Sequence, residues 1–130
     1  MRIFKNRPFV RFAQRNLIGD SDLYKAIESA NRGLIGADLG GGVIKQRIAR
    51  RGEGKSGGFR TLILFRKGDR AIFVHGFAKS DVENIRPDEL KALRKLAREL
   101  LAYNEIELRS AIASGTLVEV RWNGEDEAVS

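Results

Sequence analysis

Residues 43–79, from Val43 to Lys79, read VIKQRIARRGEGKSGGFRTLILFRKGDRAIFVHGFAK. Three runs in this stretch have strand character: Val43–Ile48, Phe59–Phe65 and Ala71–Phe77. The first two flank a glycine- and cation-rich loop, Ala49–Gly58, and the last two flank a tight turn at Lys67–Arg70. Gly68 supplies the positive φ that a short hairpin turn requires. The pattern predicts a three-stranded antiparallel meander. In Phe59–Arg66 the residues Phe59, Thr61, Ile63 and Phe65 share one face, and Arg60, Leu62, Leu64 and Arg66 the other. Both faces are apolar in the middle, as in a central strand. Strict alternation in the next run sets Ala71, Phe73, His75, Phe77 and Lys79 against Ile72, Val74 and Gly76. The stretch holds ten Lys or Arg and two acids, Glu53 and Asp69. The meander is therefore expected to carry a strongly positive face.

The flanks read mostly as helix. Arg2–Lys5 suits a short opening strand, and Pro8 suits the first turn of a helix with Phe9, Phe12 and Ala13 on one face. Arg7, Arg11 and Arg15, four apart, form either a solvated face or a second ridge contacting phosphates. Asp20 or Ser21 is expected to cap a helix running to about Arg32, with Leu23, Ile27 and Ala30 inward and Gly33 at its end. Leu34–Gly42 reads as a loop. Pro87 with Asp88 and Glu89 opens a helix with the charge its N-terminus favours, and Leu90, Leu93, Leu96, Ala97, Leu100 and Leu101 form its stripe. Asn104 and Glu107 predict a capping box for one more helix, stopped by Gly115. Thr116–Trp122 reads as a last short strand, and the acidic tail 125–130 as frayed. The expected fold is α+β, a small twisted, mainly antiparallel sheet with helices on one face.

The chain has 130 residues, so length predicts one domain over 1–130. A net charge of +7 and a pI near 10.1 favour an anionic partner, nucleic acid ahead of a membrane surface. There is no cysteine and only one histidine, which rules out a disulfide framework, a thiol nucleophile, a zinc site built on thiolates and a multi-histidine metal site. No secretory signal and no run of the length of a membrane span is seen, and a soluble, cytoplasmic chain is expected. No cofactor and no metal is expected.

Gly52-Glu53-Gly54-Lys55-Ser56-Gly57 matches G-x-G-x-x-G. A dinucleotide fingerprint needs a helix after the glycines, and here a strand follows. A P-loop fails for the same reason, and its first glycine would fall at Ala49. The loop's cations Arg50, Arg51 and Lys55 suit a backbone-exposed clamp on a polyanion, or a plain surface hairpin. His75, the only imidazole, is either a half-buried strand residue or an acid/base. Phe77 is a candidate stacking platform for a base, and Lys79 stands where side chains leave the sheet.

The succession GKSGGFRTLILF, a tight turn, then FVHGFAKSDVENI resembles the RelE/ParE toxin superfamily, most closely its HigB-like branch. Gly58-Phe59-Arg60 looks like the family's Gly-aromatic-Arg at the start of the central strand. Lys55 looks like the basic residue of the preceding loop, and Phe77-Ala78-Lys79 like the aromatic-Ala-Lys ending the next strand. The resemblance implies a toxin of a bacterial type II toxin–antitoxin system. It implies a metal-independent endoribonuclease acting on messenger RNA, at the ribosome in many members. It further implies inhibition by a cognate antitoxin, expected here to be a helix-turn-helix protein similar to HigA. ParE-type relatives act on gyrase, so a non-catalytic gyrase inhibitor or a basic RNA-binding module is the alternative. RelE has a tyrosine shortly after the strand that ends in Lys79, whereas Val82–Ile85 holds no aromatic residue. The expected catalytic set is Arg60 for the phosphate, Lys79 and Lys55 for charge balance and proton transfer, and His75 as acid/base. Arg47, Arg50, Arg51 and Arg66 are expected to follow the RNA backbone, with Phe77 beneath a base.

Overall fold

The structure is a computed structural model, and it describes residues 1–49, 58–78 and 85–121. Their elements run β1 (Arg2–Asn6), α1 (Arg7–Arg15), α2 (Asp20–Asn31), β2 (Ala37–Gly40), β3 (Val43–Ile48), β4 (Phe59–Arg66), β5 (Arg70–Ala78), α3 (Pro87–Leu100), α4 (Glu105–Ala113) and β6 (Leu117–Glu119). The strands form one six-stranded sheet in the order β2-β3-β4-β5-β1-β6. The expected meander is its centre: β3–β4 and β4–β5 are antiparallel. β1 runs parallel to β5, with Ile3 opposite Ala71, and antiparallel to β6, with Phe4 opposite Glu119. The α+β class and the mostly antiparallel sheet stand as expected.

Helices cover both faces, not one. Along β4, Ile63 and Phe65 join a core with Phe9 and Ala13 of α1 and Leu23, Ile27 and Ala30 of α2. Leu62 and Leu64 join a second core with Ala97 and Leu100 of α3 and Leu108 and Ala111 of α4. Four successive large apolar residues leave neither face fit for water, since each buried Leu, Ile or Phe contributes roughly 1.5–3 kcal/mol. The two-sided apolar pattern of β4 thus required cover on both sides.

A second correction concerns β5. Leu62 faces His75 while Ile63 faces Phe73, so Val74 is an extra residue, a β-bulge. One inserted residue switches the side to which all later side chains point. Phe73 lies in the α1–α2 core, but Val74 and Phe77 lie in the α3–α4 core. His75 and Phe77 therefore stand on the face of Leu62 and Arg60, their direct partners.

The glycine-rich run expected to be a loop forms β2 and its turn into β3. Gly40, Gly41 and Gly42 have φ of +82°, +62° and +84°. A Cβ on Gly41 would lie 2.7 Å from Cγ of Arg94 in α3, so backbone angle and helix approach both demand glycine. α2 begins at Asp20 and is capped through Gly19, whose N–H donates to the Asp22 carboxylate at 3.0 Å. Asp20, expected as the cap, instead accepts from Lys5 Nζ at 2.9 Å and from the Arg121 N–H at 2.8 Å. Asn6 caps α1, accepting the Phe9 N–H at 3.0 Å. At the other end Ile18 N–H donates to Ala13 O at 2.9 Å and Leu17 N–H to Gln14 O at 3.4 Å, a Schellman closure with Leu17 at φ +55°. The Asn104–Glu107 box forms reciprocally, with both bonds at 2.8 Å. Trp122 and the tail lie outside the described residues.

Candidate nucleic-acid interface

On the α3–α4 face, cross-strand neighbours over β3, β4 and β5 line up in rows. Val43, Leu64 and Ile72 form one row, Lys45, Leu62 and His75 the next, and Arg47, Arg60 and Phe77 the last. The first row is buried. α3 seals it with its C-terminal half, where Ala97 and Leu100 are buried. Toward α3's start, Leu90, Leu93 and Leu96 are only half-buried, so the helix stands away from the last two rows.

That separation opens a groove of about 1060 Å³ along β5. β1 ends its pairing at Lys5 opposite Phe73, so beyond that point β5 has no strand on its outer side among the described residues. The Asn6 side chain marks the end of the pairing, donating from Nδ2 to Val74 O at 3.3 Å. Phe12, Arg15 and Asn16 of the α1 end form one wall, and Ile85 with Leu93 and Leu96 the other. Val74, His75 and Phe77 form the floor. Phe12 holds its wall to the sheet: a Cβ on Gly76 would come within 2.3 Å of its ring.

Arg60 stands one strand in from this groove, between Arg47 and Phe77. Like charges directly opposite each other on neighbouring strands are unfavourable. Arg60 Nη1 is buried with no hydrogen-bond partner among the described residues. A guanidinium held half-buried with an unused donor is suited to a phosphate oxygen, which its planar fork matches. His75 is exposed, and its ring centroid lies 5.8 Å from that of Phe77, tilted by 34°. Phe77 itself is buried, so the imidazole is the ring that meets solvent.

The structure thus brings Arg47, Arg60, His75 and Phe77 together at one end of the sheet. The bulge makes this possible. Arg66 is not among them. It sits at the far end of β4, ion-paired with Asp69 at 2.8 Å and donating to the Leu101 carbonyl. Arg70 joins it there, its Nη1 donating to the carbonyls of Leu100 and Tyr103 at 2.9 and 3.0 Å. Both cations close the C-terminus of α3, where positive charge is favoured. Lys55, Arg50, Arg51 and Lys79 lie outside the described residues. The arginine row of α1 divides: Arg7 donates to Ser114 O at 2.7 Å and Gly115 O at 3.0 Å, whereas Arg15 lines the groove. Lys45, Asn16 and Glu89 were missed in the sequence. Lys45 alternates in phase with Arg47, which is the signal that could have found it.

Among the described residues no group of three or more His, Asp or Glu is arranged to hold a metal ion, and no helix is long and apolar enough to cross a membrane. No curated protein matches the chain. The family described as the RelE toxin of the RelE / RelB toxin-antitoxin system matches residues 1–120. That span takes in the whole sheet, all four helices and the arginine-lined end of β4, and the chain therefore belongs to the RelE toxin family, the toxin half of a toxin–antitoxin pair.

Proposed function

We propose that this toxin is an endoribonuclease that cleaves messenger RNA at the ribosome and is silenced by a cognate antitoxin, with a HigB-like toxin and a HigA-like helix-turn-helix partner as the closest type. The observation that carries the reading is the unpartnered, buried Nη1 of Arg60 in the row Arg47–Arg60–Phe77, beside a groove large enough for a nucleotide. RNA supplies its own nucleophile. The 2′-hydroxyl gives up its proton to a basic group as its oxygen attacks the neighbouring phosphorus, the 5′-oxygen leaves and takes up a proton, and a cyclic phosphate remains. Such a reaction needs in-line geometry, neutralised charge on the phosphate, a proton acceptor for the 2′-hydroxyl and a proton donor for the 5′-oxygen. Arg60 neutralises the phosphate, with Lys55 and Lys79 contributing charge and proton transfer from the adjoining segments. His75, the exposed imidazole, protonates the leaving oxygen. Arg47, with Arg50 and Arg51, follows the backbone. Arg66, held at the other end of β4, is left out. The net charge of +7 favours approach to ribosomal RNA.

The test is to induce the chain in a bacterial host, map new RNA 5′ ends and measure gyrase activity in the same cells. New ends without gyrase loss are expected. Gyrase loss without new ends would establish a ParE-like inhibitor instead. In vitro, Arg60→Lys keeps charge but loses the fork. It is expected to bind RNA almost normally and to cleave about 10²–10³ slower, the usual cost of one preorganised donor. Arg60→Ala is slower still, with little change in melting temperature. Normal cleavage by Arg60→Ala refutes the site.

A further inference from the structure

The groove has a chemistry that phosphate binding alone does not explain. It is mostly apolar, lined by Phe12, Val74, Phe77, Leu93 and Leu96, and it begins one strand away from the Arg47–Arg60 cations. A nucleotide is an amphiphile of the same design, a charged phosphate joined to a flat, largely apolar ring. Strands lie about 4.8 Å apart, so a phosphate on Arg60 places the attached base over β5 and into the groove. Two charged side chains face this apolar space from opposite walls. Arg15, in the last turn of α1, is exposed and has no hydrogen bond or ion pair among the described residues. Glu89, in the first turn of α3, bonds the Arg86 N–H and Nε at 3.3 and 3.2 Å. Both of those bonds fall on Oε1, leaving Oε2 without a bond among the described residues. A carboxylate repels phosphates, so its place in an RNA groove is beside donors on a base edge.

We infer that Arg15 and Glu89 are specificity-determining residues that read a single guanine held in this groove. The inference rests on the ribonuclease reading of the adjoining site. Guanine presents paired acceptors, O6 and N7, that a guanidinium bonds bidentately. On the adjoining Watson–Crick edge N1–H and the N2 amino group form a donor pair for a carboxylate. Adenine has an amino donor where guanine has O6, which places N–H against the guanidinium and leaves the carboxylate without a paired donor. Pyrimidines offer one edge only.

The experiment uses guanosine 3′-monophosphate and adenosine 3′-monophosphate as probes on the purified chain. Binding is read from the methyl resonances of Leu93 and Leu96, and cleavage preference from RNA 5′-end sequencing. The guanine nucleotide is expected to bind about tenfold or more tighter, the discrimination of one good bidentate contact. Arg15→Gln and Glu89→Gln should each collapse that preference while leaving the adenine nucleotide's affinity within about twofold. Gln at position 89 still serves the helix cap, so the melting temperature is expected to hold. Arg98→Gln, an exposed change in the last turn of α3, should alter nothing. Equal binding of both nucleotides, or a preference that survives both substitutions, overturns the inference. So does a groove whose methyls ignore nucleotides and move only with antitoxin, which would make it a protein-docking cleft. Guanine preference in binding without RNA cleavage would support base reading and sink the ribonuclease proposal. Cleavage without guanosine preference would do the reverse.

Discussion

Gly76→Ala should loosen the corner where α1 meets the sheet. Gly76 lies on the α1–α2 side of β5, opposite Thr61, and the Phe12 ring lies directly on it. A methyl at position 76 would sit 2.3, 2.5 and 2.8 Å from Cε2, Cδ2 and Cζ of Phe12. Aromatic neighbours brace the ring on two sides. It packs on Phe9 at 5.7 Å and edge-on to Phe59 at 5.6 Å, and the helix carrying it is anchored by the Asn6 cap and the Arg7 clamp. Overpacking of this kind costs about 1–3 kcal/mol. Unfolding entropy near 2.1 cal/mol/K per residue gives roughly 4 °C per kcal/mol for this chain, so the melting temperature should fall by about 4–11 °C. Thermal and urea unfolding of the wild type, Gly76→Ala, Phe12→Leu and the double variant would measure the coupling. In the Phe12→Leu background the added methyl should cost less than about 0.5 kcal/mol, because the ring it meets is gone. Additive effects would refute the argument, since they would mean that the ring moves aside freely.

Two further outcomes concern the ends of the structure. Leu17 holds φ +55° at a helix C-terminus where glycine is favoured, and its side chain is 89% exposed. Leu17→Gly should therefore raise stability by about 0.5–1 kcal/mol in urea titrations, and a loss would show that Leu17 packs on something. The Glu119 carboxyl is held below its ordinary range by its hydrogen bond to Arg2, at 2.9 Å, against a smaller opposing effect of burial. Its folded pKa thus lies below the unfolded one, so its contribution is present above the unfolded value of about 4.3 and is lost as pH falls through the folded pKa. Melting curves from pH 7 to 3 should converge for the wild type and Glu119→Gln at the acid end. Parallel curves would show that the pair contributes nothing.

The features legible in the sequence were those set by local chemistry. The Asn104–Glu107 box and the proline starts of α1 and α3 each depend on a few adjacent residues, and all formed. The turn glycine Gly68, at φ +70°, did as well. The bulge at Val74 was not legible, because β-branched valine suits regular and bulged strands alike and only the pairing with Leu62 and Ile63 shows the extra residue. Strict alternation placed His75 and Phe77 with Phe73, and that single residue reassigned both to the arginine face. Two-sided cover could have been read from Leu62 to Phe65, which alternate between faces and are all apolar, but the expectation of helices on one face did not use that signal. The groove was not legible, because it comes from the stand-off of α3 and the early end of β1, which are tertiary distances. Arg66 misled because it shares a face with Arg60, and alternation says nothing of the roughly 20 Å between the two ends of the strand.

The place of β1 in the sheet bears on how the chain comes to be folded. β2 to β5 pair with their neighbours in sequence, so they can zip together from short-range contacts. β1 cannot. Its residues lie between β5, from the middle of the chain, and β6, near the end of the matched span. β1 is synthesised before either of the strands it pairs with and must wait for both. During synthesis Ile3 and Phe4, both buried in the finished fold, have nowhere to go until β5 and β6 have emerged. α1 leaves directly from β1, so the wall that Phe12 and Arg15 give the groove is completed late, after the cationic strands are already paired.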